Sequence, residues 1–167
     1  KIGTIIGIAK AYLTRVGEGP FPTELLNKTG EELRTVGGEF GSTTGRPRRC
    51  GWLDMELLKF SSYINGFTKL VITKLDVLDN FPEIKICTHY VLNSKKVNYT
   101  DGDANFLSEV QPVYKTFKGW NKSTRKITKY SDLPLEAKRY LQTIEKLIGV
   151  KIKYISTGPK RQEIIRI

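Results

Sequence analysis

The sequence predicts an α/β fold in which a mostly parallel sheet packs against helices and carries a small antiparallel β segment. Two short β-branched runs, 68–73 and 150–155, have the apolar character of strands buried in a parallel sheet. Each run follows a stretch with the apolar spacing of a helix. A third region, 84–118, alternates apolar and polar residues and predicts antiparallel strands with a turn at Asp101-Gly102. All 167 residues fit one domain.

Regular structure is sparse in the first part of the chain. Residues 1–13 mix Ile, Ala and Gly, and we expect a short helix packed on the core. Residues 14–24 are rich in Gly and Pro, which predicts an irregular loop. Apolar spacing permits a short helix over 27–36, and residues 37–45 are again loop-like.

Two longer helices carry clear end signals. Asp54 is suited to cap a helix that runs to about Ile64, and Gly66 supplies its stop. The other helix begins just before Pro134, which suits a first turn, and it ends at Gly149. The residues expected on the apolar sides are Leu57, Leu58 and Tyr63 of the first helix, and Ala137, Tyr140, Leu141, Ile144, Leu147 and Ile148 of the second.

Composition limits the classes of function. Apolar residues make up 39% of the chain and charged residues 27%, as in a globular protein rather than a disordered one. No run approaches the roughly 18 to 20 apolar residues of a membrane-spanning helix, so we expect no membrane partner. Cys50 and Cys87 are too few and too far apart for a disulfide scaffold or a zinc knuckle, which favours a reduced, cytoplasmic setting. A net charge of +11 attracts anions, either nucleic acid or small phosphates and carboxylates.

Polar residues follow both predicted parallel strands, where ligands gather in α/β sheets. Lys74-Leu75-Asp76 ends the first strand. A carboxylate there can accept two hydrogen bonds from the N–H groups of a guanine edge, which adenine lacks, while the lysine stem lies across the base. Ser156-Thr157-Gly158 ends the second strand and offers backbone N–H groups close to a planar ligand. The alternatives are a surface salt bridge after the first strand and an ordinary turn after the second.

The densest positive cluster lies in a loop. The run 41–49, Gly-Ser-Thr-Thr-Gly-Arg-Pro-Arg-Arg, has hydroxyls directly before three arginines, each able to grip a carboxylate or phosphate with a planar fork. Pro47 stiffens the run, and its glycines let it move as a lid. Hydroxyls beside arginines suit a small, multiply anionic ligand. A solvated basic loop or a nucleic-acid patch is the alternative.

Four segments extend over nearly the whole chain. They are AYLTRVGEGPFPTEL at 11–25, GEFGSTTGRPRRCGWLD at 38–54, TKLDVLD at 73–79 and STGPKR at 156–161. In sequence, order and spacing they resemble the adenylosuccinate synthetases. The resemblance implies that residues 1–167 are the C-terminal half of such an enzyme.

The resemblance also implies a ligase of purine and AMP biosynthesis. In that family GTP phosphorylates the 6-oxygen of IMP, and L-aspartate then displaces the phosphate to give adenylosuccinate. Val16 would contact IMP through its backbone, Arg46 would lie between aspartate and IMP, and Arg48 would reach toward GTP. The implied site residues are Ser42, Thr43, Thr44, Gly45, Arg46, Pro47 and Arg48 for aspartate; Val16 and Arg46 for IMP; and Arg48, Lys74, Leu75, Asp76, Ser156, Thr157 and Gly158 for GTP.

The sequence departs from the family pattern in three respects. It contains no GDEGKGK-like phosphate loop, His89 is not in a motif that matches the family's general-acid histidine, and Pro47 stands at a position that is usually basic. We therefore expect no catalytic residue and no metal ligand in this chain. Mg²⁺ would be bound with GTP by an N-terminal half that this chain lacks. The complete enzyme is expected to be a cytoplasmic homodimer, and this chain alone to be inactive.

Two other classes of function remain open at this point. The charge of +11 is compatible with a basic nucleic-acid-binding module. An autonomous GTP-binding regulatory domain, which needs no second half, is a third hypothesis. Guanine preference, salt dependence and the need for an N-terminal half distinguish the three.

Overall fold

The fold is that of a computed structural model, which describes residues 3–100 and 103–167. Short 3₁₀ helices cover Leu75–Leu78 and Tyr130–Asp132. In chain order the strands and α-helices are β1 (Ile6–Lys10), β2 (Leu13–Arg15), α1 (Lys28–Gly37), β3 (Arg49–Gly51), β4 (Leu53–Asp54), α2 (Met55–Asn65), β5 (Lys69–Thr73), β6 (Glu83–Leu92), β7 (Lys95–Val97), α3 (Ala104–Glu109), β8 (Gln111–Lys118), α4 (Leu135–Ile148), β9 (Ile152–Ser156) and β10 (Ile164–Arg166).

The strands form a mostly parallel sheet and a more antiparallel one. The first has the order β1-β5-β9-β10, with β1, β5 and β9 parallel and β10 antiparallel to β9. In the second, β6 pairs in parallel with β4 and antiparallel with β7 and β8. A separate ribbon joins β2 to β3. The expected α/β fold, with its parallel sheet and antiparallel segment, is confirmed.

The prediction of a helix within residues 1–13 is wrong. Residues 6–10 form β1, whose register sets Ile6 opposite Lys69 and Lys10 opposite Thr73. The pairing partner is far away along the chain, so the local pattern contains no sign of it. Gly7 also suits a closely packed strand, because a Cβ there would lie 2.4 Å from an atom of the Phe67 ring.

The end signals of α2 are confirmed, but one of its side chains was assigned to the wrong side. Asp54 caps the helix by accepting hydrogen bonds from the amides of Glu56 and Leu57, and Gly66 follows in the left-handed conformation at φ 63°. Tyr63 is 84% exposed, so it does not belong to the apolar side. The neighbouring Ser62 lies on the buried side of α2, whereas Tyr63 projects outward.

Helix α4 packs on the core as its spacing predicts. Ala137, Tyr140, Leu141 and Ile144 are buried, and the helix ends at Gly149 with φ 74°. The Tyr140 hydroxyl donates a hydrogen bond to the carbonyl of Ala11, just beyond β1. This contact ties α4 to the carboxyl end of the first strand. Within residues 3–100 and 103–167, no helix has both the length and the apolar character needed to cross a membrane.

The antiparallel strands expected within 84–118 are confirmed as β6 and β8. Their pairing runs from Glu83 opposite Lys118 to Val91 opposite Gln111. The predicted turn at Asp101-Gly102 lies outside the described residues.

Both cysteines lie in the core as free thiols. Cys50 and Cys87 are buried, and burial raises the pKa of each thiol. A buried thiol with a raised pKa stays protonated near neutral pH, so neither cysteine is poised as a nucleophile.

Candidate functional site

The carboxyl ends of the three parallel strands lie side by side. Lys10 pairs with Thr73 at the ends of β1 and β5, and Ile72 pairs with Ile155 near the ends of β5 and β9. A cleft of about 370 Å³ opens at this edge. The residues that line it include Thr73, Lys74, Asp76, Arg125, Ser156 and Gly158. The two strand-end loops that the sequence singled out therefore share one cleft.

The loop after β5 holds Asp76 almost buried. Lys74 takes the left-handed conformation at φ 58°, which turns the chain sharply into the 3₁₀ helix that carries Asp76. Asp76 is 8% exposed, and its Oδ2 accepts a hydrogen bond from Arg125 Nε at 3.2 Å. The Leu75 side chain is buried in the core, and Leu75 is not among the described residues that line the cleft. The carboxylate is held in place while its cleft-facing edge can still accept hydrogen bonds.

The loop after β9 turns one hydroxyl outward and one inward. Ser156 Oγ donates to the carbonyl of Gly158 at 2.7 Å, and both residues line the cleft. Thr157 is fully buried, and its Oγ1 donates toward the carbonyls of Ile127 and Glu163. A Cβ at position 158 would lie 2.4 Å from the Glu163 carboxylate, so any larger residue than Gly158 would require that side chain to shift.

The basic loop is built from its own backbone contacts. The Gly41 amide donates to the Arg46 carbonyl, the Gly45 amide donates to the Gly41 carbonyl, and Phe40 pairs with Pro47. Residues 42–47 are exposed, and they are not among the described residues that line the cleft. Their side chains project into solvent, which fits both a loop that closes on a ligand and a solvated basic loop.

Arg48 ends this loop and is fixed in place. Its Nη1 donates to Glu39 Oε2 at 2.7 Å, its amide donates to the Glu39 carbonyl, and its own carbonyl accepts from Arg34 Nε. Its Nε is buried and has no hydrogen-bond partner among the described residues. A buried N–H donor of this kind is costly unless a ligand or water satisfies it.

Glu39 is the centre of a cluster that the sequence analysis missed. It is fully buried and accepts hydrogen bonds from Lys10 Nζ at 2.8 Å, Tyr12 Oη at 2.6 Å and Arg48 Nη1 at 2.7 Å. Lys74 Nζ forms a salt bridge with the same carboxylate at 3.0 Å. We call these five residues the Glu39 cluster.

The Glu39 cluster is strongly polarised. Burial would raise the pKa of the Glu39 carboxyl, but the hydrogen bonds from Lys10, Tyr12, Arg48 and Lys74 outweigh it and lower the pKa to about 2. Burial, together with the bond to Glu39, raises the pKa of Tyr12, which therefore remains a donor. Three cations surround one carboxylate, which leaves a net positive charge on the cluster, and one of the three, Lys74, lines the cleft, where positive charge suits an anionic ligand.

Val16 lies apart from this cleft. It follows β2, is 78% exposed and is not among the described residues that line the cleft. Its loop is rigid, because Arg15 donates to the carbonyls of Glu18 and Pro20. Arg49 also supports this loop by donating to the carbonyls of Gly17 and Gly19.

Two residues at the site were not identified from the sequence. Arg125 meets Asp76, and Glu39 meets Lys74, across long stretches of chain that no spacing rule connects. Glu39 did carry a usable signal, since it is an acid next to a loop of three arginines. Arg125 lies in a loop of mixed polar residues and carried none.

Comparison with known proteins agrees with this geometry. The profile of the family described as adenylosuccinate synthetase matches residues 1–165. The adenylosuccinate synthetase of Saccharomyces cerevisiae is 54% identical over 98% of this chain, and that of Aquifex aeolicus is 56% identical over 96%. This chain spans only 38% and 37% of their lengths.

A solved structure supports the same relationship at the level of the fold. It is the fully ligated adenylosuccinate synthetase from Plasmodium falciparum, which is 38% identical with a TM-score of 0.95 and matches 99% of this chain and 40% of its own. The profile match over residues 1–165 and the fold match agree, so this chain belongs to the adenylosuccinate synthetase family.

Proposed function

We propose that the full-length protein containing this chain ligates L-aspartate to IMP at the expense of GTP. The γ-phosphoryl group leaves the β-phosphate oxygen of GTP and bonds to O6 of IMP. The aspartate amine then attacks C6, the C6–O6 bond breaks, and phosphate leaves with adenylosuccinate and GDP as the other products. The observation that carries the proposal is that Asp76 and Ser156 line one cleft at the carboxyl ends of β5 and β9.

In this proposal the cleft receives the guanine base. The Asp76 carboxylate accepts from the ring N–H and the exocyclic amine, while the Lys74 stem and the 156–158 loop flank the ring. A carboxylate has about four acceptor positions, so Arg125 can keep its bond to Oδ2 while guanine uses the others. Adenine has no matching donor pair and would leave the carboxylate desolvated and unpaired.

The exposed loop receives aspartate and meets IMP. Its hydroxyls at 42–44 and the Arg46 guanidinium are free to grip a carboxylate, with Pro47 limiting how the loop bends. In this proposal Arg46 lies between aspartate and IMP, Val16 contacts IMP through its backbone, and the Arg48 side chain reaches toward GTP. Catalysis of phosphoryl transfer is largely positioning and charge stabilisation, which these residues supply only in part.

The remaining groups belong to the part of the enzyme outside this chain. We assign Mg²⁺ binding, together with the phosphates of GTP, to the N-terminal half, as the family relationship implies. That half also supplies the catalytic acid and base. We infer that residues 1–167 act as one C-terminal domain, inactive alone, of a cytoplasmic homodimer.

The rival function is nucleic-acid binding through a basic surface. A second cleft, of about 410 Å³ between β8 and α4, is lined by Lys115, Lys118, Arg139 and Lys146. Such a surface would bind polyanions without regard to the base.

The test begins with the full-length protein. Adenylosuccinate formation should require GTP, IMP and aspartate together, and ATP should not replace GTP. The chain expressed alone should be inactive, and mixing it with the N-terminal half should restore turnover. No turnover in the full-length protein would contradict the proposal. Affinity for DNA that falls steeply with salt, without guanine preference, would favour the rival.

A further inference from the structure

The Glu39 cluster joins the end of β1 to two segments that the proposed function uses separately. Lys10 ends β1, Lys74 follows β5, and Arg48 ends the basic loop. All three cations contact the same carboxylate, at 2.8, 3.0 and 2.7 Å. Glu39 therefore connects the aspartate loop to the guanine loop through one buried side chain.

Glu39 is itself held rigidly. It directly follows Gly38, which ends α1 in the left-handed conformation at φ 59°. Its amide donates to the Arg34 carbonyl, and its carbonyl accepts from the Arg48 amide. The carboxylate is thus fixed by its own backbone before it orders the cations around it.

The exposures of the four charged side chains differ in a way that suggests separate roles. The Glu39 side chain is 0% exposed, whereas those of Lys10, Arg48 and Lys74 are 27%, 31% and 36% exposed. The cations can reach a ligand and the carboxylate cannot. Arg48 Nε also remains without a partner, which indicates that the guanidinium is not saturated by Glu39.

We propose that Glu39 is a positioning residue for the ligation described above. It touches no substrate, but it fixes Arg48 and Lys74 in one arrangement so that the phosphate and guanine parts of GTP are bound together. The inference rests on the proposed function, since it assumes that these two cations meet GTP.

Glu39→Gln in the full-length protein is the direct test. All four partners are donors, so the new amide N–H₂ group faces donors and disrupts the cluster while side-chain size is kept. The KM for GTP should rise up to about 100-fold, as expected when binding groups are misplaced by roughly 1 Å. Preference for GTP over ATP should persist, because Asp76 is intact.

Glu56→Gln is the matched control. Glu56 is also buried and pairs with Lys59 at 2.8 Å, away from the cleft. This control should keep the wild-type KM for GTP. An unchanged KM in Glu39→Gln, or an equal rise in Glu56→Gln, would overturn the proposal.

A double-mutant cycle separates positioning from mere stabilisation. If Glu39 acts through Arg48 and Lys74, Glu39→Gln should raise the KM for GTP by a smaller factor in an Arg48→Met background than in the wild type, and an equal factor in both backgrounds would overturn the proposal. Glu39→Asp keeps the charge on a shorter side chain and serves if Glu39→Gln does not fold. It should raise the same KM less, and a wild-type KM would count against positioning. If the wild-type full-length protein catalyses no ligation at all, the proposed function itself is rejected.

Discussion

Asp76 is the residue at which the proposed base specificity can be measured. In Asp76→Asn one of the two carboxylate oxygens is replaced by an N–H₂ donor, so one guanine donor no longer faces an acceptor. We expect kcat/KM for GTP to fall roughly 5- to 150-fold, which corresponds to a loss of about 1 to 3 kcal/mol of binding free energy. Selection against other purine nucleotides should relax at the same time. Asp132→Asn, at an exposed aspartate, is the control. Unchanged GTP kinetics would mean that this loop does not read the base.

Asp54 gives the protein a pH-dependent stability. Burial raises the pKa of this carboxyl from 3.8 to about 6, although bonds from Tyr90 and from the amides of Leu57 and Glu56 oppose the rise. The folded state therefore binds the proton more tightly than the unfolded state. Between about pH 4 and 6 the unfolding free energy contributed by Asp54 falls as pH rises, by on the order of 3 kcal/mol.

Asp54→Asn tests this contribution. Asn is also a good N-cap, and its amide can donate to the Tyr90 hydroxyl, so the contacts of the capped helix survive. We expect the variant to gain stability relative to wild type as pH rises from 4.5 to 7.5. The unfolding free energies of both proteins are measured by urea denaturation at each pH. A difference in unfolding free energy between the two proteins that does not vary with pH would contradict the assignment.

The contribution of Glu39 to stability depends on pH with the opposite sign. Its pKa is lowered in the folded state, so its stabilisation is lost only as pH falls from about 4.5 toward 2.

At the scale of elements, the basic loop contains one arginine expected to affect ligand binding alone and another expected to affect stability as well. Arg46 is exposed on a loop held by backbone bonds, so Arg46→Leu should change stability by less than about 0.5 kcal/mol. The same variant should impair use of aspartate and IMP together, measured as kcat/KM for each. Arg48→Leu is the contrast, because it also removes a donor from buried Glu39 and should destabilise by about 1 to 3 kcal/mol. A loss in Arg46→Leu confined to GTP would contradict its assignment.

The elements that the sequence predicts well are those whose signals are local. The Asp54 cap, the glycine stops and the stripe of α4 involve residues within one helix, and each is confirmed. β1 was missed because its identity depends on pairing with β5 across a long separation. At the site, the strand-end loops followed from the rule that ligands bind at carboxyl ends. Glu39 and Arg125 did not, since their partners are brought close only by the fold.

For the whole molecule, the hydrogen bond between Tyr140 and Ala11 joins α4 to the end of β1, and its contribution to stability can be measured. The buried hydroxyl donates to the carbonyl of a residue that lies 129 positions earlier in the chain. Tyr140→Phe leaves that carbonyl unpaired, and we expect a loss of about 1 to 3 kcal/mol in unfolding free energy by urea titration. Tyr63→Phe, at a tyrosine that is 84% exposed, should be neutral. Equal stabilities for the two variants would show that the bond contributes nothing.

The order β1-β5-β9 has a consequence for synthesis on the ribosome. As the nascent chain emerges, β1 appears long before β5, and β9 follows only after residue 150. Pairings between such distant segments are slow to form, and unfinished sheets expose edges that aggregate. A ribosome stalled before residue 150 would therefore display half of a cleft and an open strand edge. We therefore expect chaperones that act during translation to bind the nascent chain in that interval.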